Sequence, residues 1–165
     1  MQAKDVILQS AQIADMMMSK YLDDLDDSAF LVRPVAGMNH IAWQVGHLIS
    51  STQGAIESIK PGSLPPLPEG FDTKHKQNET ANSDDPAAFH TKAEYLALWK
   101  AQREAFKALV ESLTDAELDA PAPERLQRMV PTVGLALNLM GGIHPLMHVG
   151  QFVAVRRQLQ MPIAM

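Results

Sequence analysis

Four stretches in which apolar residues return every three or four positions, parted by clusters of proline, glycine and acidic residues, limit most strongly what this chain can fold into. A return of 3 to 4 places the apolar side chains on one stripe of an α-helix, whereas a half-buried strand would need strict alternation. The first stretch predicts a helix from Asp5 to Tyr21, with Val6, Ile13, Met17 and Tyr21 on a common side and small Ser10 among them. The second predicts a helix capped by Asn39 that runs to Ile59 and ends at Pro61-Gly62. The third opens at Thr91-x-x-Glu94, a capping box, and continues through Tyr95, Leu98, Trp99, Ala105, Phe106 and Leu109 to about Leu113. A second box, Thr114-x-x-Glu117, starts a short helical turn that Pro121 and Pro123 stop. Thr132 caps the last helix, which reads through Leu135, Leu139, Ile143, Met147 and Val155 to about Gln160. Between the second and third helices, Leu64 to Phe89 is proline-rich and aperiodic; a connection of that length suits a crossover spanning a bundle end to end. The expected fold is therefore all-α, a four-helix bundle with one long crossover between helices 2 and 3. At 165 residues it is expected to form a single domain spanning 1–165.

Composition excludes several functions. There is no cysteine, so disulfides, thiolate metal sites and a cysteine nucleophile are out of reach, and any thiol chemistry must use a thiol brought by a ligand. Fourteen basic against 19 acidic residues give a net charge of −5, which argues against a nucleic-acid partner, whose affinity comes from lysine and arginine on phosphates. No apolar run approaches the roughly 20 residues of a membrane span, and the opening residues lack the apolar stretch of a secretory signal, so a cytoplasmic location is expected. The cluster Asp23, Asp24, Asp26, Asp27 reads as a solvated turn after the first helix; a calcium loop would need a glycine and a distal glutamate that are missing.

The histidines carry the functional signal. His144 and His148 are four apart on the last helix, so both rings can face one atom. Such a pair also arises as surface or hydrogen-bonded core residues, but here the surroundings are unusual. The pair sits among Leu139, Met140, Ile143 and Met147, and Gly141-Gly142 and Pro145 break helix rules beside it, which predicts a bend. His47, in the apolar run Ile41 to Ile49, is the natural third ligand, since burial favours its neutral, metal-binding form. Gly46 beside it suits the close approach of another helix backbone. His40 lies two turns earlier, about 10 Å away, and reads as a rim residue, a donor to a ligand, or a fourth ligand. Gln151 is a further candidate for supporting a ligand. His75 and His90 receive no role.

The blocks Arg33-Pro34, Gly37-x-Asn39-His40-Ile41-Ala42-Trp43-x-x-Gly46-His47-Leu48, and His144-x-x-x-His148-x-Gly150-Gln151 followed by Arg156-Arg157 and Met161-Pro162 resemble the DinB-like (DinB/YfiT) superfamily of metal-binding helical bundles. The likeness spans nearly the whole chain and lies in the order and spacing of the blocks. It implies a homodimer whose nickel or zinc ion is held by His47, His144 and His148. Many relatives carry arginine directly after the last histidine, where this chain has Val149. Members with known activity include thiol-dependent transferases and isomerases, so the resemblance implies a metal-dependent enzyme that uses a low-molecular-weight thiol on a small-molecule substrate. Two other readings stand beside it: a non-catalytic stress-response metal-binding or scaffold protein, and a metal-dependent hydrolase. The hydrolase is the weaker, because Pro145, Leu146 and Met147 lie between the two histidines, with no glutamate to serve as base.

Overall fold

The computed structural model describes residues 2–76 and 81–163. Its helices are α1 (Ala3–Leu22), α2 (Ile41–Ile59), the short α3 (Phe71–Lys76), α4 (Lys92–Ser112), and the short α5 (Asp115–Asp119) and α6 (Glu124–Gln127). The last long helix is composite, made of α7 (Val133–Asn138), a π-helical turn (Leu139–Ile143) and α8 (His144–Gln158). Among the described residues there is no strand, only an isolated bridge between Pro121 and Thr132. The fold is all-α, and the four predicted helical stretches are its four long helices.

Local chemistry explains the helix starts. Thr91 and Glu94 exchange side-chain-to-backbone hydrogen bonds at the head of α4, and Thr114 and Glu117 do the same at α5. Thr132 accepts from the Leu135 amide to open α7. At α2 the cap is His40, not Asn39: the Trp43 amide donates to its ring Nδ1 at 3.1 Å. That acceptor role leaves Nε2 of His40 protonated, and it donates to the carbonyl of Ser83 at 3.1 Å.

Contacts at the helix ends set the directions. Lys4 of α1 donates to the carbonyl of Glu111, while Lys92 at the head of α4 donates to the carbonyls of Asp23 and Leu25, so α1 and α4 are antiparallel. Gln102 of α4 bonds the carbonyl of Ile49 in α2, and the His40 ring meets Phe89, just before α4, edge-on at 4.5 Å. Helices α2 and α4 therefore run the same way, and the connection between them returns along α2. Arg33 staples its far end, donating to Asp84 at 2.5 Å and to the carbonyls of Met38, Ala81 and Ser83.

Two predicted stripes are corrected. In α1 the buried side chains are Ile7, Ala11, Ala14, Met18, Tyr21 and Leu22, while Val6 and Ile13 are exposed. In the last helix Leu135, Ile143 and Met147 are exposed, and Ala136, Leu137, Met140, Val149, Phe152 and Val155 are buried. The cause is close approach: a Cβ on Gly142 would lie 2.6 Å from the Ser10 hydroxyl and 3.1 Å from the Ser10 carbonyl carbon. Small residues, not large ones, mark the faces where these two helices meet. The π-helical turn then rotates the side chains that follow.

The acidic cluster is also more than a solvated turn. Arg156, 1% exposed, grips Asp24 with both guanidinium nitrogens, at 2.5 and 2.8 Å, and donates to the carbonyl of Tyr21. Asp26 accepts from Ser28 and from the Ala29 amide, and Asp27 accepts from the Lys92 amide. The Arg156 hydrogen bonds hold the Asp24 carboxyl below the usual carboxylate range. A depressed carboxylate stabilises the fold above its unfolded value of about 3.9, and that contribution is lost as pH falls through the lower folded value. Asp24→Asn is expected to weaken the fold at neutral pH and to make the acid limb of the stability profile shallower. A urea titration repeated from pH 7 to pH 2.5 measures both.

Candidate metal centre

His47 on α2 and His144 and His148 on α8 come together where these antiparallel helices face each other. Their ring centroids are 5.4 Å (47 to 144), 5.3 Å (47 to 148) and 4.9 Å (144 to 148) apart, and one nitrogen from each ring lies within 4.8 Å of the other two. No carboxylate joins this group among the described residues.

Two of the three rings, His47 and His148, are oriented from outside the triad. Trp43 stacks on His47 at 4.8 Å with planes 10° apart. Nδ1 of His47 donates to the carbonyl of His75 at 3.3 Å, which leaves Nε2 as the lone-pair nitrogen; the Ser51 hydroxyl donates to it over a long 3.3 Å. Nδ1 of His148 donates to Oε1 of Gln44 at 2.9 Å, and the Gln44 amide in turn donates to the carbonyl of Asn39 at 2.6 Å. Gln44 is fully buried, so its amide has no freedom to flip toward solvent. A ligand histidine whose other nitrogen donates to an oxygen is the usual way a protein fixes tautomer and ring plane for a metal. Nδ1 of His144 is buried and has no hydrogen-bond partner, an omission that costs free energy unless something takes it up.

Electrostatics agree with the donor set. Burial pushes His148 down to about 3, with repulsion from His144 and His47 adding to it, and burial with repulsion from His47 pushes His144 down to about 4. Burial lowers His47 as well, against the His75 carbonyl. All three rings are neutral at physiological pH and offer lone pairs. Three neutral imidazoles, two with fixed tautomers and one with an orphaned buried nitrogen, fit a divalent ion such as zinc or nickel.

The backbone that presents His144 is itself a built feature. An ordinary α-helix would give the Gly141 carbonyl to the amide of residue 145, but Pro145 has none. The predicted bend takes the form of the π-helical turn, and the Gly141 carbonyl accepts instead from Nη2 of Arg103 at 2.6 Å. Arg103, from α4, also donates to the carbonyl of Ala11 and pairs with Asp15 of α1 at 2.7 Å. Gly141 is small because the Phe106 ring fills its side-chain position, 2.5 Å from where a Cβ would be.

Of the other sequence candidates, His40 is fully buried away from the triad, with both nitrogens engaged by Trp43 and Ser83. It is neither at a rim nor free to bind a metal. Gln151 is half-buried and, among the described residues, makes no side-chain hydrogen bond to the three histidines; Gln44 holds that place. The space beside Gly46 belongs not to another helix backbone but to the His75 ring, 2.0 Å from where a Cβ would lie. That ring donates from Nδ1 to the carbonyl of Phe71 and accepts from the Tyr95 hydroxyl. His75, given no role from sequence, thus anchors the carbonyl that orients His47. Val149 is buried in the core, so this chain has no basic group there.

The Gln44 contact makes a quantitative expectation. Gln44→Met keeps the volume but leaves Nδ1 of His148 unpaired, and supporting residues of this kind are worth about 10–100-fold in metal affinity. Competition against a chromophoric chelator measures the loss.

A profile of the DinB superfamily matches residues 12–152, so the chain belongs to that superfamily. No curated protein and no solved structure gives a significant match.

Proposed function

We propose that this protein binds one zinc or nickel ion through His47, His144 and His148 and uses it, as a transferase or isomerase, to bring a small thiol to a small-molecule substrate. One observation carries the reading: three neutral imidazoles, two of them oriented from outside, converge with no fourth protein ligand among the described residues, and His144 also lines a cleft open to solvent. A closed structural site would have four protein ligands. The metal's contribution is to hold a ligand sulfur as thiolate near neutral pH. The chain's part is to orient the three ligands and shape the cleft. With a thiol bound, its proton would go to solvent; a transferase would then form a sulfur–carbon bond as the leaving group departs with its electron pair, whereas an isomerase would add the sulfur to the substrate and eliminate it again. No carboxylate joins the triad among the described residues, so the hydrolase stays the weaker reading.

The resemblance to dimeric relatives extends the proposal to a cytoplasmic homodimer of single-domain chains. The exposed Val6, Ile13, Leu135 and Ile143 supply apolar surface for that contact, which light scattering tests. No described helix is long and apolar enough to cross a membrane.

The thiol reading is tested on cobalt-loaded protein titrated with small thiols. A sulfur-to-metal charge-transfer band that rises and saturates is the expected result. An unchanged spectrum at millimolar thiol would leave a metal-binding protein without this chemistry.

A further inference from the structure

Beside the metal centre, between α2, α6 and the π-helical turn, lies a cleft of about 350 Å³ with His144 in its wall. Its volume is at the small end of the range for metabolite sites. The wall is apolar and adaptable, with Met129, Leu139, Met140 and Met147 along it, and Met129 and Met147 are 67% and 61% exposed. At the opposite wall two cations meet. The guanidinium nitrogens of Arg125 and the ammonium of Lys76 lie 3.6, 3.7 and 3.9 Å from the point where a Cβ of Gly54 would be.

Arg125 is exposed to solvent, but its head is tied down. It donates to the carbonyl of Gly54 and to the hydroxyl of Ser58 at 3.3 Å, which pins its head to α2. Both acceptors are neutral, and no carboxylate among the described residues lies within ion-pair distance of it, so its charge is uncompensated. Lys76 is paired with Asp72, leaving this wall with a net positive charge in a chain whose formal charge is −5. A pinned, unneutralised guanidinium facing a thioether-lined cleft is the arrangement that recognises a carboxylate on an apolar body.

We propose that this cleft binds a small anionic molecule with an apolar body, its carboxylate on Arg125 and Lys76, its body on the methionines, and its far end at His144. As a statement about the reaction this rests on the metal reading above, because it names the substrate class of that same centre. As a statement about binding it stands alone.

The experiment uses octanoate as probe, with octanol and octylamine as neutral and cationic counterparts of the same length, on zinc-loaded protein by calorimetry. Octanoate is expected to bind, and the two counterparts to bind about tenfold more weakly or worse, as does octanoate to Arg125→Gln. Lys76→Gln, an exposed change that leaves the Arg125 contacts in place, is expected to weaken binding by a smaller factor. The same titration on His148→Ala separates this proposal from the metal reading. Arg125-dependent binding retained in that variant upholds the cleft proposal whatever its metal content. Octanoate binding that is lost in His148→Ala but indifferent to Arg125→Gln would place the carboxylate on the metal and overturn it. Equal binding of octanoate and octanol, or no octanoate binding to well-folded, zinc-loaded protein, would overturn it too.

Discussion

Purified His148→Ala is expected to carry only background divalent metal, and the wild-type chain about one ion: this is the largest functional effect the proposed site predicts. The argument is one of magnitudes. Removing a residue that merely orients a ligand costs about 10–100-fold in affinity, and removing the ligand itself costs more. Two rings remain, and His47 keeps its stack on Trp43 and its bond to the His75 carbonyl, so the fold should survive. Elemental analysis with far-UV circular dichroism checks both halves. Equal metal content in variant and wild type would remove His148 from the site.

The largest effect on stability is expected at Arg103, far from any sequence motif. Arg103→Met keeps most of the side-chain volume, since Arg103 is 3% exposed, but leaves Asp15 charged and short of its buried partner and the Gly141 carbonyl unpaired. Breaking a buried pair by deleting one member costs about 3–5 kcal/mol. Lys107, 3.3 Å from the other Asp15 oxygen, retains part of the compensation. Urea denaturation should therefore show a loss of about 3–5 kcal/mol, and Arg103→Met combined with Asp15→Asn should lose less than the two single losses added. Because the guanidinium supports the turn that presents His144, metal affinity should fall as well, in a variant that touches no ligand.

How the sequence foretold this arrangement differs from part to part. Three helix starts were legible because capping is local chemistry: Thr91 with Glu94, Thr114 with Glu117, and Thr132 act within one turn of their own positions. The histidine convergence was legible because spacing fixes which side chains share a helix face and because an apolar run around His47 implies burial. The stripes of α1 and the last helix were misread because size was taken as the mark of the core. Where helices touch most closely, alanine and glycine face inward and Val6, Ile13 and Ile143 are turned out.

The supporting residues divide the same way. Gln44 was recoverable, as the one amide in the apolar run from Ile41 to Leu48, and so was Arg103, a charge on the apolar stripe of Trp99 and Phe106. His75 was not. Its part depends on the connection folding back along α2 until its ring fills the space over Gly46, a contact 29 residues distant that no local pattern encodes. His40, which reads from sequence as a rim residue, a donor to a ligand or a fourth ligand, is the α2 cap through the Trp43 amide, and the return of Ser83 engages its other nitrogen.

The central claim is that one ion sits among the three rings, and a crystal structure with anomalous scattering recorded on both sides of the nickel and zinc edges tests it most directly. The account predicts a single strong peak about 2.1 Å from one nitrogen each of His47, His144 and His148, with Gln44 and the His75 carbonyl on the outer nitrogens of His148 and His47. A metal-loaded crystal whose anomalous peak lies elsewhere, or whose three rings turn away from one another, would contradict it.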